Sequence, residues 1–139
     1  MEILKCDKWE NKTLICTAGL PYSGKTTWAK KQDSPIVCPD CIRIALHGHK
    51  FIPEAEEFVW AIAKKMVEAL FLAGHNTVIL DATNTTKERR DHWISSRWAT
   101  NFHRIPTPKE ICIERALSVD DMAIIPIIEK MAESMGYPV

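Results

Sequence analysis

Residues 15–31 read "ICTAGLPYSGKTTWAKK". An apolar run ends in a glycine-punctuated turn, and a helical pattern follows Lys25. Gly19 to Thr26 fit G-x-x-x-x-G-K-[ST]. A strand before and a helix after form the context in which that spacing makes a phosphate cradle. The chemistry explains the residue types. Glycine lets backbone approach an anion closely and take dihedrals that side chains resist. The loop of Gly19, Leu20, Pro21, Tyr22, Ser23 and Gly24 wraps a β-phosphate with backbone N–H groups. The next helix points its N-terminal dipole at the anion. Lys25 neutralises β/γ oxygens, the Thr26 hydroxyl is a ligand for Mg²⁺, and Thr27 extends the nucleotide-binding run. An ordinary strand–turn–helix corner is the competing reading, and motif and context together set it aside. The stretch predicts a site for ATP with Mg²⁺.

Outward from this turn, strands and helices alternate. "KTLICTA" (12–18) reads as a buried strand, followed by a helix over 25–32. "SPIVCP" (34–39) is a second strand and 41–48 a short helix. The strongest helical pattern covers 54–73, where Phe58, Ile62, Met66 and Leu70 recur every four residues and Gly74 stops the helix. "NTVIL" (76–80) is a third strand. "TTKE" (85–88) reads as a capping box, with Thr85 as cap and Glu88 reaching back, opening a helix to about residue 99. "FHRI" (102–105) is a weaker fourth strand. Helices follow over 108–117 and from about 125 to 135. "EILKC" (2–6) is an edge strand or a tail. This order means βαβ units. The expected fold is a P-loop NTPase of the α/β class. It has three α/β/α layers, a small, mostly parallel sheet of four or five strands, and one domain over 1–139.

In a parallel sheet the C-terminal strand ends share one crevice, so polar residues just past each strand are candidates. Asp40 is a proton acceptor for an attacking hydroxyl or a helix N-cap. Arg43, beside it, is a phosphate clamp or a solvated side chain. Asp81 holds a magnesium-bound water, contacts Thr26, or simply ends its strand; Thr83 and Asn84 follow it. Arg89 lies one turn into a helix at the crevice rim, where it serves the site or is surface charge.

Composition bounds the rest. The chain has 139 residues, with 18 Lys and Arg against 18 Asp and Glu, so no global field advertises nucleic acid. Lys87, Arg89, Arg90, Arg97, Arg104 and Lys109 make a local basic face or a solvated one. No apolar run approaches the roughly 20 residues that span a bilayer. "MEILKCDKWE" lacks a secretory signal, so a cytoplasmic protein without a membrane partner is expected. The 5 cysteines include "CPDC" (38–41), but no second pair sits at zinc-ligand spacing. They read as unpaired thiols.

The run "GLPYSGKTTWAKK", then D-x-x-R-x-x-L-x-G (Asp40 to Gly48), Pro53-Glu54, G-x-x-V-I-L-D-A-T-N-x-x-x-x-R (Gly74 to Arg89) and C-x-x-R (Cys112 to Arg115) resembles the P-loop kinases akin to phage polynucleotide 5′-kinase. The likeness runs from Lys12 nearly to the end. It implies a compact parallel sheet flanked by helices. It also implies that Asp40 activates the acceptor hydroxyl, Arg43 contacts the substrate phosphate, and Arg115 belongs to a mobile lid over the nucleotide. Two positions depart from that pattern. Tyr22 stands where many members have Gly, and "SVDD" (118–121) stands where many lids carry a second Arg.

The expected activity is transfer of the γ-phosphate of ATP to a hydroxyl, with a nucleic-acid 5′ end as acceptor. Trp93 and Trp98 are stacking surfaces for it if exposed. A small-molecule alcohol as acceptor, or a non-catalytic nucleotide-binding module, are the alternatives.

Overall fold

The computed structural model describes residues 9–49 and 51–136. Its centre is β1 (Thr13–Ala18), the strand that leads into the glycine turn. β3 (Thr77–Leu80) pairs with it on one side and β4 (Ala99–Arg104) on the other, and β2 (Ile36–Val37) flanks β3. All three pairings are parallel, in the order β2-β3-β1-β4. The sheet therefore has four strands and no antiparallel member among the described residues. The "EILKC" segment lies outside them.

Alternation along the strands decides the packing. Leu14 and Cys16 of β1, Val78 and Leu80 of β3 and Val37 of β2 are fully buried in one cluster. α3 (Glu56–Leu72) covers that face with Val59, Ala63, Val67 and Phe71. This stripe is one residue later than the Phe58–Leu70 repeat; Phe58 is 61% and Met66 39% exposed. Both apolar rows lie side by side on α3, and Ile62 and Leu70 of the outer row still pack part-buried on the same cluster, so period alone does not choose the buried row.

α1 (Lys25–Lys30) packs on β1, and α2 (Pro39–His47) packs on α3. α5 (Lys109–Ser118) and α6 (Ile125–Ser134) pack together. They build a second cluster, in which Leu20 of the glycine turn is buried with Cys112, Ala116, Ile128 and Ala132.

Four expectations change. The second strand shrinks to two residues, because Pro35 and Pro39 bracket it and α2 begins at Pro39. The helix expected over 85–99 is only α4 (Lys87–Asp91), capped by Thr86 rather than Thr85. The chain turns after Asp91 so that both Trp93 (0% exposed) and Trp98 (5%) enter the core. The Trp98 indole N–H (3.2 Å) and the Thr100 hydroxyl (2.8 Å) both donate to the Trp93 carbonyl. Neither tryptophan is a surface for stacking a base. β4 extends from Ala99 to Arg104 and pairs with β1 along its whole length.

Candidate active site

Every strand is parallel, so Gly19 after β1, Asp40 after β2 and Asp81 after β3 emerge at one edge of the sheet. The edge is pinned from within. The Thr17 hydroxyl donates to the Ala82 carbonyl (2.7 Å) and accepts from the Ala82 N–H (3.0 Å). Asn84, buried and left-handed at φ 45°, donates to the Thr17 carbonyl at 2.7 Å. The Gly19 N–H donates to the Thr83 carbonyl at 3.0 Å. Thr83 and Asn84 thus fasten the loop after β3 to the glycine turn.

Within the turn, Gly24 is left-handed at φ 101° and so is Tyr22 at φ 68°. For tyrosine that conformation costs about 1–2 kcal/mol, and three contacts hold the loop in it. The Tyr22 hydroxyl donates to Asp121 at 2.7 Å, which also raises the phenol's pKa. Arg115 donates to the Tyr22 carbonyl at 2.9 Å. The Thr107 hydroxyl donates to the Ser23 carbonyl at 2.8 Å. The two departures noted in the sequence meet here: the tyrosine in place of glycine bonds an aspartate of the "SVDD" stretch.

The residues present suit a triphosphate and a hard cation. Ser23 is 3% exposed, and its hydroxyl has no partner among the described residues. It faces the narrow space over Gly19, where even a Cβ would come within 2.9 Å of it. The Lys25 ammonium is held by the Leu20 carbonyl at 2.8 Å. Burial pulls the Lys25 pKa down, and the negative charges of Asp81 and Asp40 oppose that. The Thr26 hydroxyl donates to Asp81 at 2.6 Å. A hydroxyl and a carboxylate are the oxygen donors Mg²⁺ takes, directly or through water, with the rest supplied by phosphates. No cluster of three or more His, Cys, Asp or Glu among the described residues can hold a metal by itself. A cleft of about 580 Å³ lies between the turn (Tyr22 to Gly24), Thr27 and Trp28 of α1, and Arg115.

Asp40 is not the cap of α2. Cys38 is, its sulfur accepting from the Cys41 N–H at 3.3 Å. Burial, with Cys41 adding to it, pushes the Cys38 thiol up to about 12. The pair is the start of α2, with Cys38 as its cap.

The Asp40 side chain is 64% exposed, and one oxygen accepts from Arg43 at 2.7 Å. Arg43 also forks onto Glu56 through two bonds of 2.8 Å, and the Trp60 indole N–H donates to Glu56 at 3.2 Å. Arg89 lies over the Trp60 ring, its guanidinium carbon 3.8 Å from the centre. That guanidinium has no hydrogen-bond partner among the described residues. The basic run is otherwise engaged piecemeal. Lys87 pairs with Asp91, Arg97 with Glu68, and Arg90 donates to the Asn84 carbonyl. Glu56, Trp60 and Asp121 were not named as site residues from the sequence, since each acts on a motif residue far from it in the chain or on another helix.

A four-stranded parallel sheet with this glycine turn at its edge, and a Thr–Asp pair beside a half-buried lysine, defines the P-loop nucleotide-binding class. A family profile described as an AAA domain matches residues 14–117, and the chain belongs to that family. The structure of the Pnkp1/Rnl/Hen1 RNA repair complex contains a similar fold. The TM-score is 0.76 and the identity 21%, over 91% of this chain and 44% of that one. A second structure, of the Pnkp1/Rnl/Hen1 complex, has a TM-score of 0.66 and 26% identity, over 75% of this chain and 38% of that one. This chain thus spans less than half the length of either. No curated protein matches it. The fold is that of the polynucleotide kinase-like P-loop proteins, as the sequence resemblance implies. No helix among the described residues is long and apolar enough to cross a membrane.

Proposed function

We propose that the chain is an ATP-dependent phosphotransferase that moves the γ-phosphate of ATP to a hydroxyl, the 5′-hydroxyl of a nucleic acid being the acceptor. One observation carries the reading. Asp40 follows β2 and Asp81 follows β3 in an all-parallel sheet, at the same edge as the glycine turn after β1. A carboxylate thus shares one crevice with the phosphate cradle and with the Thr26–Asp81 pair, bonded at 2.6 Å.

In this reading the acceptor oxygen attacks the γ-phosphorus, and the bond to the β–γ bridging oxygen breaks with its electron pair leaving on ADP. The hydroxyl proton passes to Asp40, whose second oxygen is free of Arg43. Such a base contributes roughly 10²–10⁴-fold. Lys25 and the loop amides hold the phosphates, and Arg115 is placed to reach them from α5. Thr26 and Asp81 would hold Mg²⁺, which neutralises β- and γ-oxygen charge when bound. Arg43 and Arg89 lie on the acceptor side, and Arg89 has donors to offer an acceptor phosphate. The likeness to a structure of an RNA repair complex supports a nucleic-acid acceptor.

The test is transfer from γ-labelled ATP to a 5′-hydroxyl oligonucleotide, to its 5′-phosphorylated twin, and to free nucleosides and other small alcohols. The reading expects label only on the 5′-hydroxyl strand. Label only on small alcohols would make the protein a small-molecule kinase. Label on nothing would leave a nucleotide-binding module.

A further inference from the structure

Trp60 belongs to no motif, yet it touches both arginines on the acceptor side. It lies in the first turns of α3, four residues after Glu56, so the two side chains share a helix face. Its indole N–H donates to Glu56 at 3.2 Å, and Glu56 grips Arg43 through two bonds of 2.8 Å. Its ring carries Arg89 at 3.8 Å, with the Arg43 guanidinium carbon 5.5 Å from the same centre. The ring itself is braced from below. Trp93, fully buried, meets it at 6.2 Å and 60°, and Trp60 packs on the main core cluster. A rigid core element, a ring and two cations therefore form one stack. It opens onto a cleft of about 460 Å³, with Glu57, Lys64 and His92 on the far side.

We propose that Trp60 is a positioning residue that sets both acceptor-side arginines at once, Arg43 through Glu56 and Arg89 through the ring face. The proposal rests on the phosphotransferase reading for its consequence in turnover, but its structural content stands apart from it. Arg43 in turn holds Asp40 at 2.7 Å, so the orientation of the base is also inherited from the Trp60 ring. An arginine on a flexible stem loses side-chain entropy on every encounter with an anion; one already seated on a fixed ring loses less.

The experiment compares the parent with Trp60→Leu, Trp60→Phe and Glu56→Gln, using two readouts. The first is the side-chain Nε–H signals of Arg43 and Arg89 in nitrogen–proton NMR spectra. Trp60→Leu should release both. Glu56→Gln should release only Arg43, and Trp60→Phe should keep Arg89. The second is steady-state transfer to a 5′-hydroxyl oligonucleotide. Trp60→Leu should lower acceptor kcat/KM about ten- to hundredfold while the KM for ATP moves less than about twofold, and Trp60→Phe should recover part of the loss. The proposal is overturned if both arginine signals persist in Trp60→Leu, or if the KM for ATP rises in step with the acceptor's. Should Trp60→Leu fail to fold, Trp60→Phe decides: it keeps the ring under Arg89 but loses the N–H to Glu56, so the Arg43 signal must shift while Arg89 stays, and an unmoved Arg43 signal overturns the proposal. If the parent labels no acceptor, the phosphotransferase reading fails, and the two arginine signals still judge the positioning role.

Discussion

Tyr22 shows how far a single residue can be read. Many members of the resembled family have Gly at its position, and the tyrosine here is left-handed at φ 68°. What holds it in place is not in the motif. Asp121 lies 99 residues away in the chain, and only the packing of α5 and α6 against Leu20 brings it near. Tyr22→Phe, Asp121→Ala and the double variant should show a coupling of about 1 kcal/mol, measured by thermal unfolding. Additive losses would mean the hydroxyl and carboxylate do not act as a pair. In the proposed reading, Lys25→Ala removes a charge-assisted contact to the phosphates. That is worth about 1.5–3 kcal/mol, so Mg-ATP should bind roughly 10–100-fold more weakly by calorimetry. Parental affinity in that variant would remove the loop from nucleotide binding.

At the scale of elements, the strands were legible where an apolar run met a turn residue, as in β1 and β3; β4 begins three residues before "FHRI", at Ala99-Thr100-Asn101, where no apolar run marks it. The helix after β3 was not. Its cap and first turn are written in "TTKE", but its end is decided by two tryptophans that must both reach the core, a demand that comes from α3 and the sheet. The cap also falls one residue later than the capping-box pattern suggested. Thr85 is buried at 7% exposure, while Thr86 receives the Arg89 N–H at 3.2 Å. Thr86→Ala should cost about 1 kcal/mol, a loss of a few degrees in Tm for a chain of this size. It should also loosen Arg89, which that N–H anchors. A melting curve identical to the parent's would show that the hydroxyl does not cap α4.

Across the whole molecule, the strand-end residues were legible as candidates because a parallel sheet delivers them to one edge. Their division of labour was not. Arg43 has donors engaged by two carboxylates, and Arg89 rests on a ring with its donors unpaired, a difference made by Glu56 and Trp60. The same pairings predict the response to acid. Burial works to raise the Glu56 pKa, but the bonds and charge of Arg43 outweigh it, so the net shift is below the ordinary 4.5. Arg97, chiefly through its hydrogen bond, lowers Glu68 from the same ordinary value. A folded value below the unfolded one means stability that is full above the unfolded pKa of about 4.3 and is lost as pH falls through the folded values. Stability measured in urea should therefore drop below about pH 4.3, and Glu56→Gln should flatten part of that fall. An unchanged acid limb in the variant would mean that Arg43 does not stabilise the Glu56 carboxylate.

The central claim is that Asp40 takes the proton of an acceptor hydroxyl beside ATP held in the glycine turn. Single-turnover transfer from γ-labelled ATP to a 5′-hydroxyl oligonucleotide, in the parent and in Asp40→Asn, tests it most directly. Asparagine keeps the shape and the oxygen that accepts from Arg43, but cannot take the proton. The account predicts a fall of roughly 10²–10⁴-fold in the transfer rate, with Mg-ATP affinity close to the parent's. Transfer at the parental rate in Asp40→Asn, or no transfer by the parent, would contradict it.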